Sequence, residues 1–171
     1  YQAYEHILVF DDGADVFKIS PTATDINDTR GLHVATLARD ALRNMERYVV
    51  AAEVLLCGAS YRQDVREIHY GGSEIVVRPL TEMGADIRIH DPHVEHWYEF
   101  EVQDTYPAPG YSRARFSRNQ DNLEELRVEE SLEKALDGVE AMTLAVSHEP
   151  YLALETEWVV EQAGGPIAII D

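Results

Sequence analysis

Residues able to do chemistry gather in a few short stretches of the chain. The turn Gly58-Ala59-Ser60-Tyr61-Arg62-Gln63 follows the apolar run Val54-Leu55-Leu56-Cys57. A dinucleotide fingerprint at such a turn needs a second glycine, so that a pyrophosphate can approach the backbone, and a third for close helix packing. Ser60 and Gln63 stand in those places, so the fingerprint is absent. Tyr61, Arg62 and Arg66 lie in the same loop. An arginine at the carboxyl edge of a strand can clamp a phosphate or carboxylate through its planar fork. The competing reading pairs both arginines with Asp64 and Glu67.

His90, His93 and His96 fall in the segment His-Asp-Pro-His-Val-Glu-His. With Asp91 and Glu95 they offer nitrogen and oxygen donors of the kind metals take. Asp91-Pro92 interrupts regular structure between them, so the expectation is solvated loop histidines and no metal site. Ser147-His148-Glu149 holds the residue types of a triad, but consecutive residues cannot adopt triad geometry. Cys57 is the only cysteine, which rules out an internal disulfide, a thiolate zinc site and a CxxC pair. It could act as a nucleophile with His69 or His148 as base. Its place inside a strand favours burial and a structural role instead. No catalytic residue is assigned from these motifs.

The elements that position these residues alternate. From Glu53 the pattern changes, and the apolar run Val54–Gly58 reads as a short buried strand. A helical stretch spans 72–83 and closes at Gly84, with Pro79 expected to kink or shorten it. A second strand covers Asp86–His90. Residues 93–130 read as a polar excursion with at most one short strand, near Arg115-Phe116. A short helix at Ser131–Leu136, a strand at Glu140–Val146, a helix at Leu152–Ala163 and a strand at Ile167–Ile170 complete the chain. Upstream, Ile26, Val34, Leu37, Ala38, Ala41, Leu42 and Met45 recur at helical spacing, predicting a long helix over 25–47 whose first turns Gly31 weakens. Residues 1–24 give no assignment.

Alternation of strand and helix implies an α/β fold: a Rossmann-like parallel sheet with helices on both faces, preceded by a long helix. Ligands of such sheets sit at the carboxyl ends of the strands. That places Gly58–Glu67, Asp91–His93 and Ser147–Glu149 on the functional edge.

Composition narrows the partners. The chain has 171 residues with 32 acidic and 14 basic side chains, a net charge of −18. Such a chain repels phosphate backbones, which argues against nucleic acid. No apolar run approaches the roughly 20 residues of a membrane helix, so a soluble protein is expected. A single cysteine fits a reducing compartment, the cytoplasm. Only Lys18 and Lys134 are lysines; the other basic residues are arginines. Acid-rich, lysine-poor composition fits either a salt-adapted host or a high-GC genome with an ordinary acidic protein. The start at Tyr1-Gln2-Ala3, with no Met and no signal peptide, reads as part of something longer.

The ordered motifs resemble the UDP-glucose/GDP-mannose dehydrogenase family. The stretch from Val54 to Val65 is similar to the start of that family's C-terminal domain, and Glu82-Met83-Gly84-Ala85 to Asp91-Pro92 continues the likeness without a gap. Ala135 to Ala141, Ser147-His148-Glu149 with Tyr151, and Ile169-Ile170-Asp171 resemble later passages. Ile26-Asn27-Asp28 resembles the start of the long helix in the family's central domain. The resemblance implies two parts: residues 1–50 as the end of a central, dimer-forming domain, and 51–171 as a Rossmann-like UDP-binding domain. It implies an NAD-dependent oxidation of a UDP-sugar C6 alcohol to the uronic acid, with NAD bound mainly by a domain outside this chain, and a homodimer through the long helix. Tyr61 and Arg62 match the family's aromatic-basic pair that contacts the nucleotide sugar. Glu67-Ile68-His69 falls on the family's Asp-x-Arg, so His69 stands where the cofactor-contacting arginine would be, with Arg66 nearby as a substitute. The alternative is a stand-alone, non-catalytic Rossmann-like module for nucleotide-sugar binding or assembly.

Overall fold

The computed structural model describes residues 19–68, 72–97, 123 and 126–171. In chain order the elements are α1 (Ile19–Asn44), β1 (Glu53–Cys57), α2 (Ser73–Glu82), β2 (Asp86–His90), β3 (Val128–Glu129), α3 (Leu132–Leu136), β4 (Ala141–Leu144), α4 (Glu149–Leu152), α5 (Thr156–Ala163) and β5 (Ala168–Ile170). The five strands form one sheet in the order β3-β2-β1-β4-β5, and every pair is parallel. This is the expected α/β, Rossmann-like sheet with a long helix before it.

β1 is central because it is apolar on both sides. Its side chains alternate between two cores. Val54 and Leu56 pack with Ala35, Ala38 and Leu42 of α1 and with Val76, Val77 and Leu80 of α2. Leu55 and Cys57 face the other way, against Ala135 and Leu136 of α3, Met142, Tyr151 of α4 and Val159 of α5. Period-two alternation on a strand produces this division. The chain leaves β1 toward β2 on one side and returns as β4 on the other. The crevice between the ends of β1 and β4 is therefore the switch point.

Several boundaries differ from the sequence expectations. α1 ends at Asn44, and its Ile26 and Leu37 are exposed rather than part of the core stripe. Pro79 sits inside α2 without ending it; Met83 still donates its backbone N–H to the Pro79 carbonyl, and Gly84 at φ +88° closes the turn. The helix expected over Leu152–Ala163 is two helices. The short α4 ends at Leu152, next to Tyr151, which is tied to His90, and an extended Glu155 resets the chain before α5. Val128–Glu129 forms an edge strand on β2, and the strand expected near Arg115-Phe116 lies outside the described residues. Arg47, just beyond α1, pairs with Glu140 at the entry to β4.

Candidate functional site

The three loops expected on one edge do meet there. Gly58 ends β1 at φ +99°, a backbone conformation that a side chain strains, and an added Cβ would stand 2.5 Å from Val146 Cβ. The glycine thus lets the β1 and β4 loops touch. Its N–H donates to the His90 carbonyl at 2.9 Å, and its carbonyl accepts from Ser73 Oγ at 2.8 Å. The turn is thereby fixed to β2 and to the start of α2.

Asp91 holds the loops together. Its Oδ2 accepts from the Ala59 and Ser60 backbone N–H groups at 2.8 and 3.0 Å. Its Oδ1 accepts from the N–H groups of His93 and Val94 at 2.8 and 3.1 Å. Burial alone pushes the Asp91 carboxyl up, but the N–H donors of His93, Ser60 and Ala59 outweigh it and hold the group below its ordinary range.

His148 comes from the β4 loop and is fully buried. Its Nδ1 accepts from the Asp64 backbone N–H at 2.9 Å. Its Nε2 stands 2.9 Å from Ser60 Oγ and 3.2 Å from Asp91 Oδ2. An ionised carboxylate only accepts, so Nε2 carries the ring proton and the ring is the Nε2–H tautomer. Asp64 has φ +55°, a conformation Asp tolerates better than most residues. Its Oδ1 reaches the Glu149 N–H at 3.3 Å and lies 3.5 Å from both His93 Nε2 and His148 Nδ1. The Glu149 N–H, and after it the two histidines, hold the Asp64 carboxyl below its ordinary range.

This geometry decides what the β1 turn can bind. The Ala59 and Ser60 N–H groups, which a dinucleotide pyrophosphate would need, are already given to Asp91. The turn does not fit a dinucleotide. Its rim is another matter. Tyr61 is 58% exposed, and Arg62 and Arg66 are exposed. Neither arginine forms an ion pair with a described residue; Asp64, one of the two acids expected to neutralise them, turns to His93 and His148. His69 lies outside the described residues.

The histidines of the Asp-Pro segment are not alike. His90 is buried, with Nδ1 2.8 Å from the Tyr151 hydroxyl, which itself donates to the His90 carbonyl at 2.8 Å. His93 turns to Asp64 and stacks edge-on with His148, ring centres 5.0 Å apart. His96 is exposed. Cys57 is fully buried, and burial followed by the nearby Asp91 charge drives its thiol far above the ordinary range. It is not a nucleophile in this fold. Sequence reasoning placed Asp91 and His148 at the strand ends but weighed Asp91 only as a metal donor and His148 as a base for Cys57. An Asp directly after a strand, followed by Pro, was the available signal for a residue that caps two turns.

A match to the UDP-glucose/GDP-mannose dehydrogenase family, UDP binding domain, covers residues 55–171. Among curated proteins there is no match. Among solved structures, the chain is similar to an NDP-N-acetyl-D-galactosaminuronic acid dehydrogenase from Methanosarcina mazei Go1, with a TM-score of 0.71 and 18% identity over 96% of this chain and 30% of that one. A UDP-D-ManNAc dehydrogenase from Pyrococcus horikoshii gives 0.66 and 16%, over 88% of this chain and 29% of that one. A UDP-glucose dehydrogenase from Pyrobaculum islandicum gives 0.51 and 18%, over 81% and 29%. At these identities the structures speak for the fold. The chain spans 30% or less of the length of each of these three.

Proposed function

The chain belongs to the UDP-glucose/GDP-mannose dehydrogenase family through its UDP binding domain, and from that premise we propose that it is the nucleotide-sugar-binding part of an NAD-dependent nucleotide-sugar 6-dehydrogenase. The reaction proposed is oxidation of a UDP-sugar C6 alcohol to the uronic acid, in the cytoplasm, toward polysaccharide precursors. The observation that carries this reading is the exposed pair Tyr61 and Arg62 at the switch point, the arginine without an ion pair among the described residues. In a chain of net charge −18, an unneutralised guanidinium on the ligand edge suits an anionic ligand. Arg62 is assigned to a phosphate of the nucleotide sugar and Tyr61 to apolar cover beside it.

Arg66 and His69 are proposed to face NAD held mainly by a domain outside this chain; the β1 turn itself has its Ala59 and Ser60 N–H groups committed to Asp91. Residues 1–50 are proposed as the end of a central domain and 51–171 as the UDP-binding domain. The exposed Ile26 and Leu37 lie about three turns apart on one face of α1, which supports a homodimer packed along this helix.

The test is calorimetric titration of UDP into the natural polypeptide that carries this chain. Arg62→Ala is expected to weaken binding about 10- to 100-fold, the range of a hydrogen bond to a charged group. Unchanged affinity would remove Arg62 from the site. A second reading, a non-catalytic nucleotide-sugar-binding module, rests on the burial of Cys57, which leaves the described residues without a cysteine nucleophile. It predicts UDP binding with no NAD reduction when a UDP-sugar is supplied.

A further inference from the structure

We propose that Asp64, His93 and His148 form a binding site for a divalent transition-metal ion of the zinc type. One ligand atom from each residue lies within 4.8 Å of the others. His93 Nε2 and His148 Nδ1 are each 3.5 Å from Asp64 Oδ1. Around a tetrahedral zinc with bonds of about 2.0–2.1 Å, ligand atoms stand about 3.3 Å apart. Two edges of that tetrahedron are therefore nearly in place before any ion arrives.

Two further observations point to an ion. His93 Nε2 is shielded from solvent and has only the Asp64 carboxylate near it, at 3.5 Å, too long for a good hydrogen bond, so its hydrogen-bonding capacity is only weakly used. His148 is held as metal-binding histidines are held. Its Nε2–H is given to the Asp91 carboxylate and Ser60, and its Nδ1 lone pair points to the Asp64 backbone N–H, with Asp64 Oδ1 3.5 Å away. A carboxylate on the far ring nitrogen fixes the tautomer and makes the ligating nitrogen more basic. On binding, Nδ1 exchanges the Asp64 amide hydrogen bond for the ion. Asp64, exposed on its loop, swings the carboxylate by the little that closure requires and leaves a coordination position open to water.

Two nitrogens and one carboxylate oxygen are a donor set that zinc accepts. The set is not the His90, His93 and His96 spacing of the sequence. His90 is committed to Tyr151, and the true partners of His93 come from two other loops. The site is independent of the nucleotide-sugar reading, because its test reads metal alone.

The natural polypeptide that carries this chain is loaded with Zn²⁺, dialysed extensively and analysed for bound metal, and Co²⁺ is then used as a spectroscopic probe. One equivalent is expected, with the visible absorption of a four-coordinate Co²⁺ nitrogen/oxygen site. His93→Ala and Asp64→Ala, both outside the hydrophobic cores, are expected to weaken binding by more than about 100-fold, beyond the 10- to 100-fold loss typical of an outer-shell partner. Their circular dichroism in chelator matches the parent protein, and Asp64→Ala melts only somewhat lower because alanine tolerates φ +55° less well than aspartate, which separates lost binding from lost folding. His96→Ala is expected to bind as the parent does. Absence of retained metal overturns the proposal. So does retention in both His93→Ala and Asp64→Ala, or loss in His96→Ala with retention in Asp64→Ala.

Discussion

His148 and Asp91 meet across 57 residues of sequence, Nε2 standing 3.2 Å from Oδ2. That contact closes a ring of loops. Asp91 gathers N–H groups from the β1 loop and from its own turn, and His148 adds the β4 loop. The exposed rim of Tyr61 and Arg62 is thus carried by a buried polar network whose members come from three strand ends.

Asp91→Asn is expected to destabilise the fold by about 3 kcal/mol, from lost charge-assisted hydrogen bonds and donors left facing donors. Each oxygen of Asp91 now takes two backbone N–H groups. An asparagine has one oxygen, so whichever way its amide turns, one pair of N–H donors meets an NH₂ group. Urea unfolding measures the loss. A change below about 1 kcal/mol would mean that the carboxylate is not the staple of these loops.

His90 makes stability depend on pH. The hydroxyl of Tyr151 gives its proton to the His90 carbonyl, so His90 Nδ1 must be the donor to that hydroxyl. Burial lowers the His90 pKa below 6.5; the charges of Asp91, Glu133 and Glu129 raise it, and His148 lowers it further, without reversing the direction. The unfolded chain then binds more protons than the native state below about pH 6.5. Stability from this residue is full above that pH and falls as the pH drops toward the folded value, by at most about 1.4 kcal/mol per pH unit. Urea unfolding at about pH 7.5 and about pH 5.5 should show a shallower loss in His90→Asn than in the parent. Equal losses would mean that other groups set the acid limb.

Much of the fold was legible because its signals are local. Val54-Leu55-Leu56-Cys57 is apolar without interruption, so it had to be covered on both faces. Gly58 and Asp91-Pro92 punctuate the strand ends, and alternation gave the parallel sheet. The edge strand Val128–Glu129 was not legible: two residues in an acidic run become a strand only by pairing with Ile89 and His90. The site was half legible. Topology brought three loops to one edge, but which side chains meet there depends on contacts such as Asp64 with His148, 84 residues apart. No local pattern carries that information. His90 shows the same limit, since its neighbours in sequence suggested solvent and its true neighbour is Tyr151.

Cys57 should be inert while the protein is folded. It is fully buried in β1, and desolvation disfavours its thiolate. A thiol reagent such as DTNB at neutral pH should label it only through opening of the core, slowed by a factor of roughly 10³ or more relative to the unfolded chain. Rapid stoichiometric labelling in native buffer would contradict this packing and would return Cys57 to the nucleophile candidates.

Gly31 poses a contest between propensity and packing. In an exposed helix, glycine to alanine stabilises by about 1 kcal/mol. Sequence alone therefore marks Gly31 as a weak point of α1. The structure gives it another role: it is buried, and an added Cβ would stand 2.7 Å from Ile75 Cβ and 3.1 Å from the Ile75 backbone carbon. Ile75 is itself buried in α2, so its backbone cannot yield without moving that helix. Overpacking of this kind costs about 1–3 kcal/mol, which outweighs the gain in propensity. Gly31→Ala should therefore lower the melting temperature instead of raising it. Gly31→Ala with Ile75→Ala should remain destabilised, because the clash involves Ile75 Cβ and backbone, which alanine keeps. A stabilised Gly31→Ala would show that α1 and α2 are not in close contact at this crossing.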